Sequence, residues 1–106
     1  MIVKQKLDPQ ETNRLFEDSG GTMLKIVVDI ARGILSAGCE LHIDCADELL
    51  QDGSQQKDLW GANIYQDKRI DFVSLINIRP KDHNPSMQIE DEGIRKKVEH
   101  VIRALV

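Results

Sequence analysis

Ionisable and apolar residues alternate along one seven-residue segment, Cys39–Cys45. Successive side chains of a β-strand point to opposite faces, so a strand here would place Glu40, His42 and Asp44 on one face. The other face would carry the apolar and sulfur-containing residues, Cys39, Leu41, Ile43 and Cys45. Two carboxylates that flank an imidazole could bind a metal, transfer a proton or form ion pairs. The segment predicts where a site lies without selecting its chemistry.

Composition excludes some classes of partner. The chain has 106 residues and a net charge of −4, whereas nucleic-acid binders usually carry a basic surplus. No apolar run approaches the roughly 20 residues that span a bilayer, and residues 1–7 lack the apolar core of a signal peptide. We expect one domain over residues 1–106, with no nucleic-acid and no membrane partner.

The two cysteines are expected to remain unpaired. If both lay on one strand, six residues at about 3.3 Å each would separate Cys39 from Cys45 by about 20 Å, beyond the roughly 7 Å limit for a disulfide. Two reduced, inward-facing thiols are typical of a cytoplasmic protein, so the sequence predicts that location.

Two helices have clear boundaries. Asp8 as N-cap, Pro9 and Glu11 form a helix start, and this helix should end near Ser19 before two glycines. A closing helix follows an acidic first turn and carries an apolar stripe of Ile94, Val98, Val101, Ile102 and Leu105. A third helix is expected over 23–35, where apolar residues recur at helical spacing.

The remaining apolar segments predict strands over 2–7, 39–45, 59–65 and 72–79, the last two as an antiparallel hairpin. The fold class is therefore α+β, a two-layer domain with helices packed on one face of a mostly antiparallel sheet. The opposite face would be open to water or a partner.

Polar residues of three strands would share that open face. They are Glu40, His42, Asp44, Asn63, Tyr65, Asn77 and Arg79. Neighbours at i and i+2 lie about 6.6 Å apart, so His42 with either adjacent carboxylate could bind a divalent metal. A third ligand would come from Asp82 or His83 in the following loop. No other cofactor is expected.

Arg79 suggests a different ligand. Its guanidinium beside Asn63, Asn77 and His83 could hold a phosphate or carboxylate through paired hydrogen bonds. The alternative is a solvated lattice of ion pairs, in which Arg79 meets Glu40 or Asp44 across the sheet.

Two segments carry a resemblance to a known family. Asp-Leu-Trp-Gly-Ala-Asn-Ile-Tyr (58–65) and Asn-Ile-Arg-Pro (77–80), together with Glu-Leu-His (40–42), resemble a family of small uncharacterised prokaryotic proteins. The resemblance covers nearly the whole chain and implies a stand-alone soluble protein. It supplies no activity, cofactor or site residue.

Three functions remain open. The leading one is a small domain that binds an anionic ligand or a protein partner through the polar sheet face and the 80–89 loop. The second is a metal-assisted hydrolase that uses His42 with Glu40 or Asp44, and His83. The third is an interaction module or homodimer formed through an exposed sheet edge, the N-terminal strand.

Overall fold

A five-stranded antiparallel sheet forms the centre of the computed structural model, which describes residues 1–106. The strands lie in the order β1-β3-β2-β4-β5. Their bounds are Ile2–Val3 (β1), Met23–Asp29 (β2), Ile34–Ala37 (β3), Leu59–Tyr65 (β4) and Ile70–Asp71 (β5). The helices are Pro9–Asp18 (α1), His42–Gln51 (α2) and Glu92–Leu105 (α3). This architecture confirms the α+β class.

Helix α1 begins and ends as its residues predict. The Asp8 carboxylate accepts from the Glu11 amide, and the Glu11 carboxylate accepts from the Asp8 amide, which together form a capping box. Ser19 is the C-cap residue, as predicted. Helix α3 likewise starts after Asp91, whose side chain accepts from the Ile94 amide.

The helix expected over 23–35 is wrong, because this segment folds as the β2–β3 hairpin. Asp29 is fully buried at the turn, where its carboxylate accepts from the amides of Ala31 and Arg32 at 2.9 Å. Gly33 closes the turn with a φ of +68°, a conformation that glycine adopts without steric cost. Asp29 and Arg32 are thus turn residues of this hairpin.

The strand expected over 39–45 is also wrong. The chain bends after Gly38, and α2 begins at His42. The bend brings the Cα atoms of Cys39 and Cys45 to 5.7 Å, and the two residues form a disulfide. The prediction of unpaired thiols failed because the distance estimate assumed an extended chain.

The two faces of the sheet are covered differently. The first face, against α1 and α3, is apolar and contributes Leu24, Ile26, Val28, Leu35, Trp60, Ala62 and Ile64 to the main core. The second face bears a smaller cluster, in which Cys45, Ala46 and Leu49 of α2 pack against Val27 and Leu59. Helices therefore lie on both faces, and α2 covers part of the face that was expected to be open.

Strand β4 has the predicted bounds, but the strand predicted over 72–79 is wrong. Of the chain that follows β4, only Ile70–Asp71 pairs with this strand, through the register Asn63↔Asp71 and Ile64↔Ile70. The chain then leaves the sheet and forms two 3₁₀ turns, Leu75–Asn77 and Pro80–Asp82. Beside Gly61, the Asn77 side chain occupies the place of a partner strand.

Both sheet edges are short. β1 and β5 have two residues each, which leaves few unpaired backbone groups for another chain. No helix has the length and apolar character needed to cross a membrane.

Candidate functional site

Three of the predicted site residues contribute to a polar cluster on the second face, together with one residue that was not predicted. The Asp71 carboxylate accepts from the Asn63 amide and from the Tyr65 hydroxyl, both at 2.7 Å. The His42 imidazole lies beside Asn63 and donates from Nε2 to the Ala62 carbonyl oxygen at 2.9 Å. We call His42, Asn63, Tyr65 and Asp71 the polar cluster.

The cluster holds a neutral imidazole and a fixed carboxylate. Burial lowers the pKa of His42 below its usual 6.5, a direction that the hydrogen bond to Ala62 only partly offsets. The hydrogen bond to Asp71 raises the pKa of the Tyr65 phenol. The Asn63 Oδ1 atom is buried within the cluster and is not accessible to a ligand.

The other predicted residues of segment 39–45 lie elsewhere. Glu40 and Asp44 are exposed, in the bend before α2 and in its first turn. His83 is exposed, and its backbone adopts the left-handed conformation, with a φ of +59°. The structure does not gather them with His42 into a set of metal ligands. The one group of three His, Cys, Asp or Glu side chains with neighbouring ligand atoms is Cys39, Cys45 and Glu48.

Asn77 is fully buried and acts on the backbone. Its Oδ1 accepts from the Gly61 amide at 2.8 Å, and its Nδ2 donates to the Gly61 carbonyl at 2.9 Å. Nδ2 also donates to the Met87 carbonyl at 3.1 Å. These bonds reproduce the pattern of a neighbouring strand, so the β4 edge beyond β5 is satisfied by a side chain. Asn77 has no group left for a ligand.

Arg79 is half-buried against an aromatic ring. Its guanidinium carbon lies 4.0 Å from the centre of the Trp60 ring, a cation–π geometry. Nη1 donates to the Lys57 carbonyl at 3.1 Å, and no carboxylate lies within 4.0 Å of the guanidinium. Arg79 therefore retains donors for an anion, whereas the predicted ion pairs with Glu40 and Asp44 are not formed.

An apolar groove runs between α2 and the first of the 3₁₀ turns that follow β5. This α2 groove has a volume of about 470 Å³, and its apolar lining includes Ile43, Leu50, Leu59, Leu75, Ile76 and Ile78. Leu75 is 73% exposed, and Ile43, Leu50 and Ile78 are exposed as well. Arg79 lines the groove and also a second cavity of about 530 Å³, where Lys57 and Lys81 join it. The apolar groove thus continues into a region with three cationic side chains and one carboxylate, that of Asp82.

The comparison with protein families agrees with the resemblance to an uncharacterised family that the sequence showed. The sequence model of a family described as protein of unknown function (DUF5674) matches residues 1–105. The chain belongs to this family. The comparison with curated proteins and the comparison with solved structures each found no match.

In this DUF5674 protein the two distinctive segments contact each other. Gly61 of the first segment binds the Asn77 amide of the second, and Trp60 stacks on Arg79. Gly61 also permits close approach of the chain, because a Cβ at this position would lie 2.5 Å from the Ser74 Cβ. The two segments therefore form one structural unit, which fixes the wall of the α2 groove.

Sequence reasoning missed Asp71 and the α2 groove. No pattern marks Asp71, whose role depends on the short β5 pairing. A helical reading of 42–51 would have found one wall of the groove, since Ile43, Ala46 and Leu50 recur at i, i+3 and i+7. Its spacing also places Cys45 and Leu49 on the buried side.

Proposed function

We propose that this chain is a binding module for a segment of a partner protein, which would occupy the α2 groove. The exposure of Leu75 carries the proposal, since 73% of this leucine is accessible at the rim of an apolar groove. Apolar patches with a polar rim are typical of interaction surfaces, and their contact residues are often the energetic centre of a complex.

A protein segment suits the groove better than a small molecule. Small ligands are usually bound with most of their surface covered, whereas the rim residues Ile43, Leu75 and Ile78 lie at the surface on both sides of this groove. A helix or an extended segment could cover these side chains together. It would bury an apolar surface that the isolated chain leaves in water.

Arg79 defines the polar end of the partner. The guanidinium is positioned by the Trp60 ring and by a backbone carbonyl, so little conformational freedom would be lost on binding. Lys57 and Lys81 add positive charge nearby. We therefore infer that the partner segment carries apolar side chains followed by a carboxylate. Arg79 would bind this carboxylate, as the sequence-based hypothesis of an anionic ligand also proposed.

Selection from a phage-displayed library of random peptides would test this function. The expected consensus combines apolar residues at helical or alternating spacing with one Asp or Glu. Leu75→Ala and Arg79→Ala should each weaken a selected peptide about tenfold in fluorescence anisotropy, equivalent to about 1.4 kcal/mol. Leu41→Ala is the matched control, because Leu41 is 57% exposed but does not line the groove.

Peptides without a consensus, or peptides that bind Leu75→Ala and Arg79→Ala as tightly as the wild type, would refute the proposal. Circular dichroism and urea unfolding of each variant separate lost binding from lost folding. If a second copy of the chain occupies the groove instead, the sedimentation coefficient would increase with protein concentration, and Leu75→Ala would abolish this increase. That outcome would replace the partner with a homodimer.

Other parts of the earlier interpretation stay predictions. The metal-assisted hydrolase and the dimer through β1 are untested, as is the prokaryotic type of the protein. A cytoplasmic location also stays a prediction, and the disulfide removes the two reduced thiols on which it was based.

A further inference from the structure

Three metal-ligating side chains meet at the corner between β3 and α2. Cys39 lies in the bend after β3, whereas Cys45 and Glu48 are three residues apart on α2 and so share one side of the helix. Their sulfur and carboxylate oxygen atoms all lie within 4.8 Å of one another. The group belongs neither to the polar cluster nor to the α2 groove.

We propose that reduction of the Cys39–Cys45 disulfide converts this corner into a binding site for a thiophilic divalent cation such as Zn²⁺. A dithiol reductant would supply two electrons and two protons and would itself become a disulfide. Each cysteine thiol then releases its proton as the cation binds. Two thiolates and the Glu48 carboxylate provide three protein ligands, and water completes the tetrahedron.

The dimensions of the corner suit this coordination. Typical bonds of about 2.3 Å to sulfur and about 2.1 Å to oxygen place a thiolate and a carboxylate oxygen about 3.6 Å apart on a tetrahedral ion. The Cys39 Sγ and Glu48 Oε1 atoms are 3.4 Å apart. The two sulfurs would have to separate to about 3.8 Å once the disulfide is reduced. Cys39 lies between β3 and α2, so such a shift displaces no residue of a helix or strand.

The surroundings of Glu48 prepare it as a ligand. The hydroxyl of buried Ser36 donates to Glu48 Oε1 at 2.7 Å, and the Met1 ammonium donates to the same atom at 3.2 Å. The Ser36 bond first, and then the ammonium, lower the pKa of the carboxyl. Such outer contacts orient the ligands of metal sites. A cavity of about 540 Å³ lined by Cys39 gives solvent and ions access to the corner.

The same carboxylate argues against a catalytic dithiol. A reactive cysteine needs an electropositive environment that stabilises its thiolate, whereas Glu48 Oε1 lies 3.4 Å from the Cys39 sulfur. Negative charge at that distance disfavours a free thiolate but favours a bound cation, which would replace the Met1 ammonium that lies 3.2 Å from Glu48 Oε1. The geometry therefore supports metal binding over thiol–disulfide exchange.

Cobalt titration would test the site. The protein is reduced with dithiothreitol, desalted without oxygen and titrated with Co²⁺, which absorbs in the visible range when bound by thiolates. We expect one equivalent to bind and to be displaced by Zn²⁺, and we expect no absorption from the unreduced protein. Glu48→Gln should weaken Zn²⁺ binding at least about tenfold. Asp47→Asn, an exposed neighbour on α2, should leave the affinity unchanged.

Cys39→Ser should abolish the cobalt spectrum, and because Cys39 is half-buried this variant disturbs the core less than a change at Cys45. Circular dichroism establishes that the reduced protein and the variants are folded. Failure of the folded, reduced wild type to bind one equivalent would overturn the proposal. Equal binding by Cys39→Ser would overturn it as well.

Discussion

The two faces of the sheet reach similar burial by different means. The first face is covered by α1 and α3 and is apolar, with Ile26, Leu35 and Ile102 fully buried. The second face is covered by α2 and by the irregular chain after β5. That chain is positioned by directed polar contacts, above all those of Asn77 with Gly61. Non-directional packing of apolar side chains stabilises the first face. On the second face, the hydrogen bonds of the buried Asn77 amide hold the chain after β5 in place.

This difference predicts different tolerance to substitution. Apolar packing depends on volume and shape, so a similar side chain is accepted at modest cost. A buried amide depends on the position of each donor and acceptor, and a change of one atom leaves backbone groups unpaired. The candidate surfaces, including the α2 groove, lie on the second face, where function and polar structure are therefore close together.

The largest expected effect comes from near-isosteric changes on the two faces. Asn77→Asp should cost about 3 kcal/mol, because the carboxylate loses the donors to Gly61 and Met87 and is buried against carbonyl oxygens. Ile102→Val on the first face should cost about 1 kcal/mol. Urea unfolding measures both free energies. Equal costs for the two variants would remove the distinction between the faces.

The close approach at Gly61 gives the next effect. In Gly61→Ala the new methyl group would lie 2.5 Å from the Ser74 Cβ and 2.6 Å from its Oγ, which should cost about 2 kcal/mol through overpacking. Ser74→Gly removes both atoms, so the double variant should be more stable than the sum of the single changes predicts. A double-mutant cycle measures this coupling, and strict additivity would show that Ser74 is not the obstacle.

Loss of the disulfide should lower the free energy of unfolding by a similar or slightly smaller amount. The disulfide closes a short loop, with a sequence separation of 6 residues, for which chain entropy predicts about 2 kcal/mol. The Cys39→Ala/Cys45→Ala variant should lose about this amount relative to the oxidised wild type, and the loss should vanish against the reduced wild type. A loss that persists against the reduced protein would indicate that packing of Cys45, not the covalent link, stabilises α2.

The smallest effect concerns pH and the polar cluster. Because burial lowers the pKa of His42 below 6.5 in the folded protein, the unfolded chain binds a proton more readily. Stability is therefore lost as pH falls below about 6.5 towards the lowered folded value. His42→Gln should reduce this dependence between pH 7.5 and pH 5 in urea unfolding, whereas the exposed control His100→Gln should not. A parallel slope for wild type and His42→Gln would contradict the role of burial.

Local signals predicted three elements well. The capping box fixes the start of α1, the apolar stripe defines α3, and the turn signals around Leu59–Tyr65 bound β4. In each case the information lies within a few neighbouring residues. Of the polar residues nominated for a site, Asn63 and Tyr65 do share a carboxylate partner, because both lie on β4 with the predicted alternation.

Two segments were misread because their patterns are ambiguous. Residues 26–28 are fully buried, with side chains on both faces of the sheet, so this apolar run matches a helix as well as a central strand. Segment 39–45 alternates like a strand, yet its alternation arises from a bend followed by the first turn of α2. Helical spacing over 42–51 was present in the sequence, but nothing local ranks it above the strand pattern.

The sequence by itself determined the α+β class, the capped helices α1 and α3, the strand β4 and the family of the protein. Only the tertiary structure decided the role of Asn77, the disulfide and the α2 groove. The physical reason is the range of the interactions. Capping and periodicity act between residues a few positions apart, whereas Asn77 and Gly61 are 16 residues apart, and their contact exists only after the chain has turned back on itself.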